Sequence, residues 1–360
     1  MEKFSCRTTI ISGTGAISAL AEMEGTRLFL VTDPFFMKNG TAQKVADAAK
    51  CRETAFFDKV QPDPSVELAA EGTARLKEFG PDLLVALGGG SAMDCAKAMA
   101  YFAKGEYKFV AIPTTSGSGS EVTDFAILTH DKVKHPLVDP ALRPDAAILD
   151  SDLLQELPKG LIADAGFDVL AHALEAYVAK DAGAITDLYA REAFSSAYAA
   201  LPASYAGRKE FRLRVHMAAT MAGMAFTQAG LGLCHAMAHS LGGMFHVPHG
   251  RLNAILLPAI VSCNAHAAGK KYAELARAAG LGGSADTIAV RNLRNGLIRL
   301  RKELNLPETL AQAGIAPRAV WNSVGEIVKA TLEDPCCKSN PVAADDFMVR
   351  RILEEVTGRV

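Results

Sequence analysis

Strand-like apolar runs alternate with helical patterns from about residue 27 to residue 150, and then the alternation stops. RLFLVTD (27–33), TAFFDKV, PDLLVALGGG, KFVAIPTTS and DAAILD (145–150) read as strands, with TAQKVADAAK, SVELAAEGTARLKEFG and SAMDCAKAMAYFAKG between them as helices. Continuous apolar strands in regular alternation with helices predict a parallel sheet covered on both faces. The expectation is a Rossmann-like α/β dinucleotide-binding domain over residues 1–157. Beyond Pro158 almost every segment repeats at the helical period and is rich in Ala, Leu and Met, which predicts an all-α domain over residues 158–360. A chain of 360 residues exceeds the size at which one core stops growing, so two domains are expected on length alone.

The formal charge of −2 offers no basic field for nucleic acid. The seven cysteines, Cys6, Cys51, Cys95, Cys234, Cys263, Cys336 and Cys337, are odd in number and sit in apolar surroundings, as reduced thiols of a cytoplasmic protein do. MEKFSCRTTIISG alternates like a strand and lacks the layout of an export signal; residues 3–12 offer a pairing edge for a homodimer or larger homo-oligomer. Residues 217–245 contain no Asp, Glu, Lys or Arg, a length that would span a bilayer. His235, His239, Gln228 and several glycines suit lipid poorly, so buried core helices are expected there and no membrane.

In DLLVALGGGSAMDCAKAMAYFA, a buried strand turns into a helix expected to start near Ala92. Gly88, Gly89 and Gly90 would let backbone approach a phosphate, and the helix N-terminus beginning with Ser91 would attract it. Asp94, in the first turn, serves either the helix dipole or a ribose hydroxyl. The pattern is not GxGxxG. A second loop, IPTTSGSGSEVTDFAIL, gathers Thr114, Thr115, Ser116, Ser118 and Ser120 with Gly117 and Gly119, many donors with little bulk at a strand's carboxyl end. Asp33 closes RLFLVTD, where a carboxylate can hold an adenosine ribose and repel a 2′-phosphate, favouring NAD over NADP; a turn-initiating Asp before Pro34 is the alternative.

Four of the nine histidines fall within fifteen positions in CHAMAHSLGGMFHVPHG: His235, His239, His246 and His249. His235 and His239 are one helical turn apart, and His249 follows Pro248 in a turn that can fold back. Upstream, GFDVLAHALEAYV puts Asp168 and His172 at the same spacing in an apolar helix. A buried carboxylate beside imidazole costs several kcal/mol unless paired or bound to a cation. Oxygen and nitrogen donors without thiolate suit Fe(II), Zn or Mn, and coordination beyond four, which iron accepts more readily, would leave room for substrate. Cys234 points to another helix face than its neighbour His235.

Taken together, GGGSAMDCAK, PTTSGSGSEVT, GFDVLAHALEAY and AGMAFTQAGLGLCHAMAHSLGGMFHVPHG resemble the iron-containing (group III) alcohol dehydrogenases over nearly the whole chain. GGMFHVPHG, KHPLVDPALRPDAAILD and the short loop before KFVAIPTT look most like the 1-propanol dehydrogenases of propanediol-utilising bacterial microcompartments. The resemblance implies Asp168, His172, His235 and His249 as metal ligands and His239 as the catalytic histidine near the nicotinamide. It implies Asp33, Gly89, Gly90, Ser91, Asp94, Thr114, Thr115, Ser118 and Lys134 along NAD(H), with Phe226, Leu231 and Cys336 by the substrate. Ser118 stands where Thr is usual, and Phe125 where relatives can carry a smaller polar residue, which implies a tighter, more apolar pocket. His246 matches only the propanol-type subset and is kept outside the ligand set.

The expected reaction interconverts a small primary alcohol and its aldehyde, such as 1-propanol and propanal or ethanol and ethanal, by hydride transfer with NAD(H) over Fe(2+), Zn(2+) being the alternative metal. The proton leaves through His239. A zinc polyol dehydrogenase of the glycerol dehydrogenase type is the competing enzyme. Dehydroquinate synthase would need a Lys/Arg cluster that the metal half lacks. A non-catalytic microcompartment interaction protein with a structural metal is the alternative from another class. The expected location is the cytoplasm, within a microcompartment whose shell or enzymes would be partners.

Overall fold

A computed structural model describes residues 4–131 and 133–358. The chain forms two compact units, one spanning Ser5–Leu157 and the other running from Pro158 onward. Phe4 belongs to the second, where it stacks on Tyr189 with ring centroids 5.5 Å apart.

The first unit is built on strands β1 (Thr9–Gly13), β2 (Arg27–Val31), β3 (Glu53–Phe57), β4 (Leu83–Gly88), β5 (Lys108–Pro113) and β8 (Ala146–Asp150), with helices α1 (Pro34–Lys38), α2 (Thr41–Ala49), α3 (Val66–Phe79) and α4 (Gly90–Ala103). The six strands pair in parallel in the order β1-β8-β5-β4-β2-β3. Both faces are covered, as the continuous apolar strands predict. Leu28, Leu30, Leu83, Val85 and Leu87 pack against Ala42, Val45 and Ala46 of α2. Their strand neighbours Phe29, Val31, Leu84 and Ala86 pack against Ala92, Met93, Ala96 and Met99 of α4, because successive side chains alternate across a sheet.

Two details differ from the sequence expectation. Helix α4 begins at Gly90, two residues before Ala92, since glycine tolerates the tight exit from β4. A separate antiparallel hairpin, β6 (Phe125–His130) with β7 (Val133–Val138), lies outside the alternation; Ala126 and Leu128 of β6 are buried, and β7 carries Pro136. The expected N-terminal strand appears at Thr9–Gly13 and forms one edge of the sheet; residues 1–3 lie outside the described residues.

The second unit is helical: α5 (Lys159–Val178), α6 (Ala184–Tyr205), α7 (Arg212–Ala229), α8 (Leu233–Phe245), α9 (His249–Ala278), α10 (Asp286–Glu303), α11 (Pro317–Asn322), α12 (Val324–Glu333) and α13 (Asp346–Thr357). The uncharged stretch 217–245 is split between α7 and α8 at Gly230 to Gly232. Among the described residues, α9 is long and apolar enough to cross a membrane by length and composition. It carries Pro258, which removes the N–H that would bond the Ala254 carbonyl one turn back. The buried Arg301 supplies the missing donor: its Nη1 lies 3.3 Å from Ala254 O and 3.5 Å from Ile255 O. Close helix approach is set by glycine, since a Cβ at Gly166 would run into Leu201.

Candidate metal and cofactor sites

Helix α5 carries Asp164, Asp168, His172 and Glu175 on one face, at successive offsets of four, four and three residues, and each is buried. Asp164 takes Arg251 in a bidentate pair at 3.1 and 2.9 Å, which ties the start of α9 to α5. Gly250 allows that approach, because a Cβ there would strike the Asp164 carbonyl oxygen. His249, the first residue of α9, is thereby brought to Asp168.

Asp168 is the centre of the cluster. Its Oδ1 lies 3.6 Å from His249 Nε2 and 3.7 Å from His235 Nε2, and its Oδ2 lies 3.9 Å from His172 Nδ1. Donor atoms of Asp168, His235 and His249 all fall within 4.8 Å of one another. These separations exceed hydrogen-bond length, yet they approach those between ligands of one ion with bonds of about 2.0–2.2 Å. The His172 ring stacks on His235 and on Phe226, each at 4.4 Å between centroids. The donor set fits a divalent cation.

Two further side chains hold the donors. Asn253 Nδ2 donates to Asp168 Oδ1 at 2.8 Å. Glu175 Oε2 lies 2.6 Å from His235 Nδ1, while its carboxylate accepts from the N–H groups of Gly232 and Cys234 at 2.9 and 2.6 Å. Electrostatics follow from this packing. Burial works against charge on Asp168, but His172, His235 and His249 outweigh it and hold the carboxyl well below the carboxylate range. Burial likewise opposes charge on His235, yet Asp168 and Glu175 raise it to about 9. At His249 the enclosing protein and the neighbouring imidazoles overcome Asp168 and keep the ring well below the usual histidine value. Cys234 donates to Asn253 Oδ1 at 3.5 Å and is not among the clustered donors.

His239 sits beside this cluster, its ring stacked 5.0 Å from His249. Its Nδ1 lies 2.9 Å from Asp334 Oδ2, and the Cys336 N–H donates to Asp334 Oδ1 at 2.8 Å. Leu231 is buried where its carbonyl accepts from Ser339 Oγ at 2.7 Å. His246 ends α8 in a left-handed conformation outside the donor cluster.

In the α/β unit, Asp33, Gly88–Gly90 and Thr114–Ser118 follow the carboxyl ends of the adjacent strands β2, β4 and β5, the place where open α/β sheets take ligands. Gly88 has φ +151, and a Cβ there would lie 2.6 Å from Ala92 Cβ and 3.8 Å from Asp33 Oδ2. A Cβ at Gly89 would meet Thr115 Oγ1 at 3.2 Å, and one at Gly90 would meet Ser118 at 3.4 Å. The loops are therefore packed closely, tightest at Gly88 and Gly89. Thr114 N donates to Gly88 O at 2.9 Å and closes the pair. Ser91 lies in the first turn of α4, which has no side-chain cap at Gly89, so that helix end is fit for an anion. Asp33 also caps α1, its Oδ1 accepting from the N–H groups of Phe35 and Phe36.

Lys97, which the sequence reading passed over, anchors the second loop. It is fully buried, and its ammonium, with three N–H groups to give, lies 2.9–3.0 Å from Ser120 Oγ, Thr123 O, Thr123 Oγ1 and Phe125 O. Asp94 shares the network, accepting from Ser120 Oγ at 2.9 Å. Phe125 is set here by its carbonyl, whereas Phe226, Leu231 and Cys336 belong to the helical unit. Lys134 is engaged in an ion pair with Asp63 at 2.7 Å on the hairpin.

Residues 7–151 match the family described as iron-containing alcohol dehydrogenase, and residues 162–357 match the Fe-containing alcohol dehydrogenase family, C-terminal. The chain belongs to the iron-containing alcohol dehydrogenase family. This dehydrogenase is 38% identical to 1-propanol dehydrogenase PduQ of Citrobacter freundii, over 99% of this chain and 100% of that one. It is 36% identical to the NADPH-dependent butanol dehydrogenase of Clostridium saccharobutylicum, over 98% and 97%. Among solved structures, sulfoacetaldehyde reductase from Bifidobacterium kashiwanohense in complex with NAD+ superposes with a TM-score of 0.90 at 27% identity, covering 98% of each chain. The dehydrogenase is thus an oxidoreductase; one relative is named as NADPH-dependent and one structural neighbour is solved with NAD+.

Proposed function

We propose that this dehydrogenase interconverts a small primary alcohol and its aldehyde, propanal and 1-propanol or ethanal and ethanol, using NAD(H) and a ferrous ion held by Asp168, His172, His235 and His249. The observation that carries this reading is the donor cluster around Asp168, braced by Asn253 and Glu175. A divalent ion held there would supply Lewis acidity to the substrate oxygen, and the nicotinamide would carry the hydride. The residues supply the rest. Phe226 and Leu231 present apolar surface suited to a short alkyl group. His239, fixed through Nδ1 by Asp334, has Nε2 as the atom that takes the alcohol proton.

On this reading residues 1–157 are the NAD-binding domain and residues 158–360 the metal-binding catalytic domain. Asp33, Gly88, Gly89, Gly90, Ser91, Asp94, Thr114, Thr115 and Ser118 line the cofactor, with Lys134 exchanging Asp63 for a phosphate. Asp33 favours NAD, although one relative is named for NADPH. Likeness to PduQ supports the 1-propanol reading, and the same proposal places the protein in the cytoplasm as a homo-oligomer packaged in a microcompartment.

The deciding experiment loads metal-free protein anaerobically with Fe(II) or Zn(II) and follows NADH loss with propanal, ethanal, lactaldehyde and glyceraldehyde. Turnover of propanal and ethanal by the Fe(II) form is the expected result. Activity confined to the zinc form with a polyol-derived substrate would install the polyol dehydrogenase reading instead. Normal metal content in Asp168→Ala would remove the ligand set.

A further inference from the structure

Glu175 is a buried carboxylate that no ligand assignment uses, although it touches one of the proposed ligands more closely than any other side chain does. Its Oε2 is 2.6 Å from His235 Nδ1, and Oε1 is 2.6 Å from the Cys234 N–H. The Gly232 N–H donates to Oε2 at 2.9 Å, and the His235 backbone N–H lies 3.3 Å from the same oxygen. Gly232 is required for this fit, because a Cβ there would lie 2.6 Å from Glu175 Oε1. One group therefore fixes the beginning of α8 and the ring carried in that helix's first turn.

We infer that Glu175 is the positioning residue that makes His235 a metal donor, an inference that rests on the reading of the Asp168 cluster as a metal site. An ionised carboxylate only accepts hydrogen bonds. Nδ1 of His235 must then carry a proton toward Glu175, so that in the neutral ring the Nε2 lone pair faces Asp168 and His249. The opposite tautomer would turn an N–H into the donor cluster and abolish one ligand. A histidine–carboxylate pair of this kind sets ring orientation and raises donor strength. The backbone bonds from Gly232 and Cys234 hold the carboxylate in place, so the ring is positioned from outside the cluster.

The cap and the tautomer separate by substitution. Glu175→Gln keeps a carbonyl oxygen for the α8 N–H groups but can present an N–H to His235 Nδ1. Asn340→Ala removes the acceptor of the Leu233 N–H, at 3.2 Å, together with the amide pair to Asn264 and the bond to Val342 O, and leaves His235 untouched. Metal dissociation constants come from chelator competition with Fe(II) under anaerobic conditions and with Zn(II), and melting of the metal-free proteins is recorded in parallel. The expected result is a dissociation constant raised about 10- to 100-fold in Glu175→Gln with little change in metal-free melting. Asn340→Ala should melt earlier while holding metal as tightly as the native chain. Native affinity in Glu175→Gln, or equal weakening by Asn340→Ala, overturns the positioning role while Asp168→Ala still abolishes binding. If Asp168→Ala binds metal normally, the metal-site reading and this inference fall together.

Discussion

Asp334 holds His239 from a position 95 residues further along the chain: its Oδ2 lies 2.9 Å from the ring Nδ1. Burial opposes charge on that carboxyl, but the His239 hydrogen bond prevails and keeps it below its ordinary value. A carboxylate so placed fixes the imidazole with Nε2 available for proton transfer. His239→Ala should retain metal by elemental analysis and lose about 10²- to 10⁴-fold in kcat. Asp334→Asn should lose less, about tenfold, because the amide can still hold the ring. Unchanged kcat between pH 6 and 9 in His239→Ala would remove the residue from the reaction.

Metal-free protein should become less stable as pH rises. His235 is raised to about 9 by Asp168 and Glu175 although burial alone would lower it. A histidine that binds its proton more tightly when folded contributes fully below an unfolded value of about 6.5, and the contribution is gone above its folded value. The fall between pH 6.5 and 9 should amount to roughly 3 kcal/mol at most. His249, depressed in the fold, acts in the opposite sense and costs stability as pH drops below 6.5. A bound cation replaces the proton on His235, so denaturant curves of the loaded protein should not share the alkaline decline. Identical metal-free midpoints at pH 6.5 and 9 would contradict this.

Arg301→Met should destabilise the helical unit by about 1–3 kcal/mol, since it leaves the Ala254 and Ile255 carbonyls without their buried donor. In a Pro258→Ala background the cost should shrink, because residue 258 then has its own N–H for Ala254. Urea midpoints of the four proteins in the cycle measure the coupling. Strict additivity would show that Arg301 does not compensate for the proline.

Asp33→Ser keeps an oxygen to cap α1, where Asp33 now serves Phe35 and Phe36, but removes the negative charge. The ratio of kcat/KM for NADPH over NADH should rise about tenfold, worth roughly 1.4 kcal/mol. An unchanged ratio would confine Asp33 to capping.

The parallel sheet and the helical remainder were legible because the two hydrophobic periods differ and change near one proline. The clustering of His235, His239 and His249 was legible because one helical turn places residues together. Glu175 was within reach of the same argument: it lies seven residues after Asp168 in an apolar helix, and a buried carboxylate there demands a partner. Asp334, Asn253 and Arg301 carry no local signal, since their partners come from distant segments. The hairpin is a short two-stranded ribbon whose buried positions in β6, Ala126 and Leu128, are too few to separate a strand from the polar loop that precedes it.

Thr9–Gly13 pairs with Ala146–Asp150, and Asp150 reaches back to accept from the Gly15 and Ile17 N–H groups at 3.1 and 2.9 Å. On a ribosome, β2 through β5 can assemble one after another as they emerge, but β1 has no neighbour until residue 146 is outside the exit tunnel. That edge of the sheet carries the longest loop-closure entropy in the unit. Its docking should be the late, slow event of folding, and nascent chains halted before β8 should expose β1 to proteolysis while β2 through β5 are already protected.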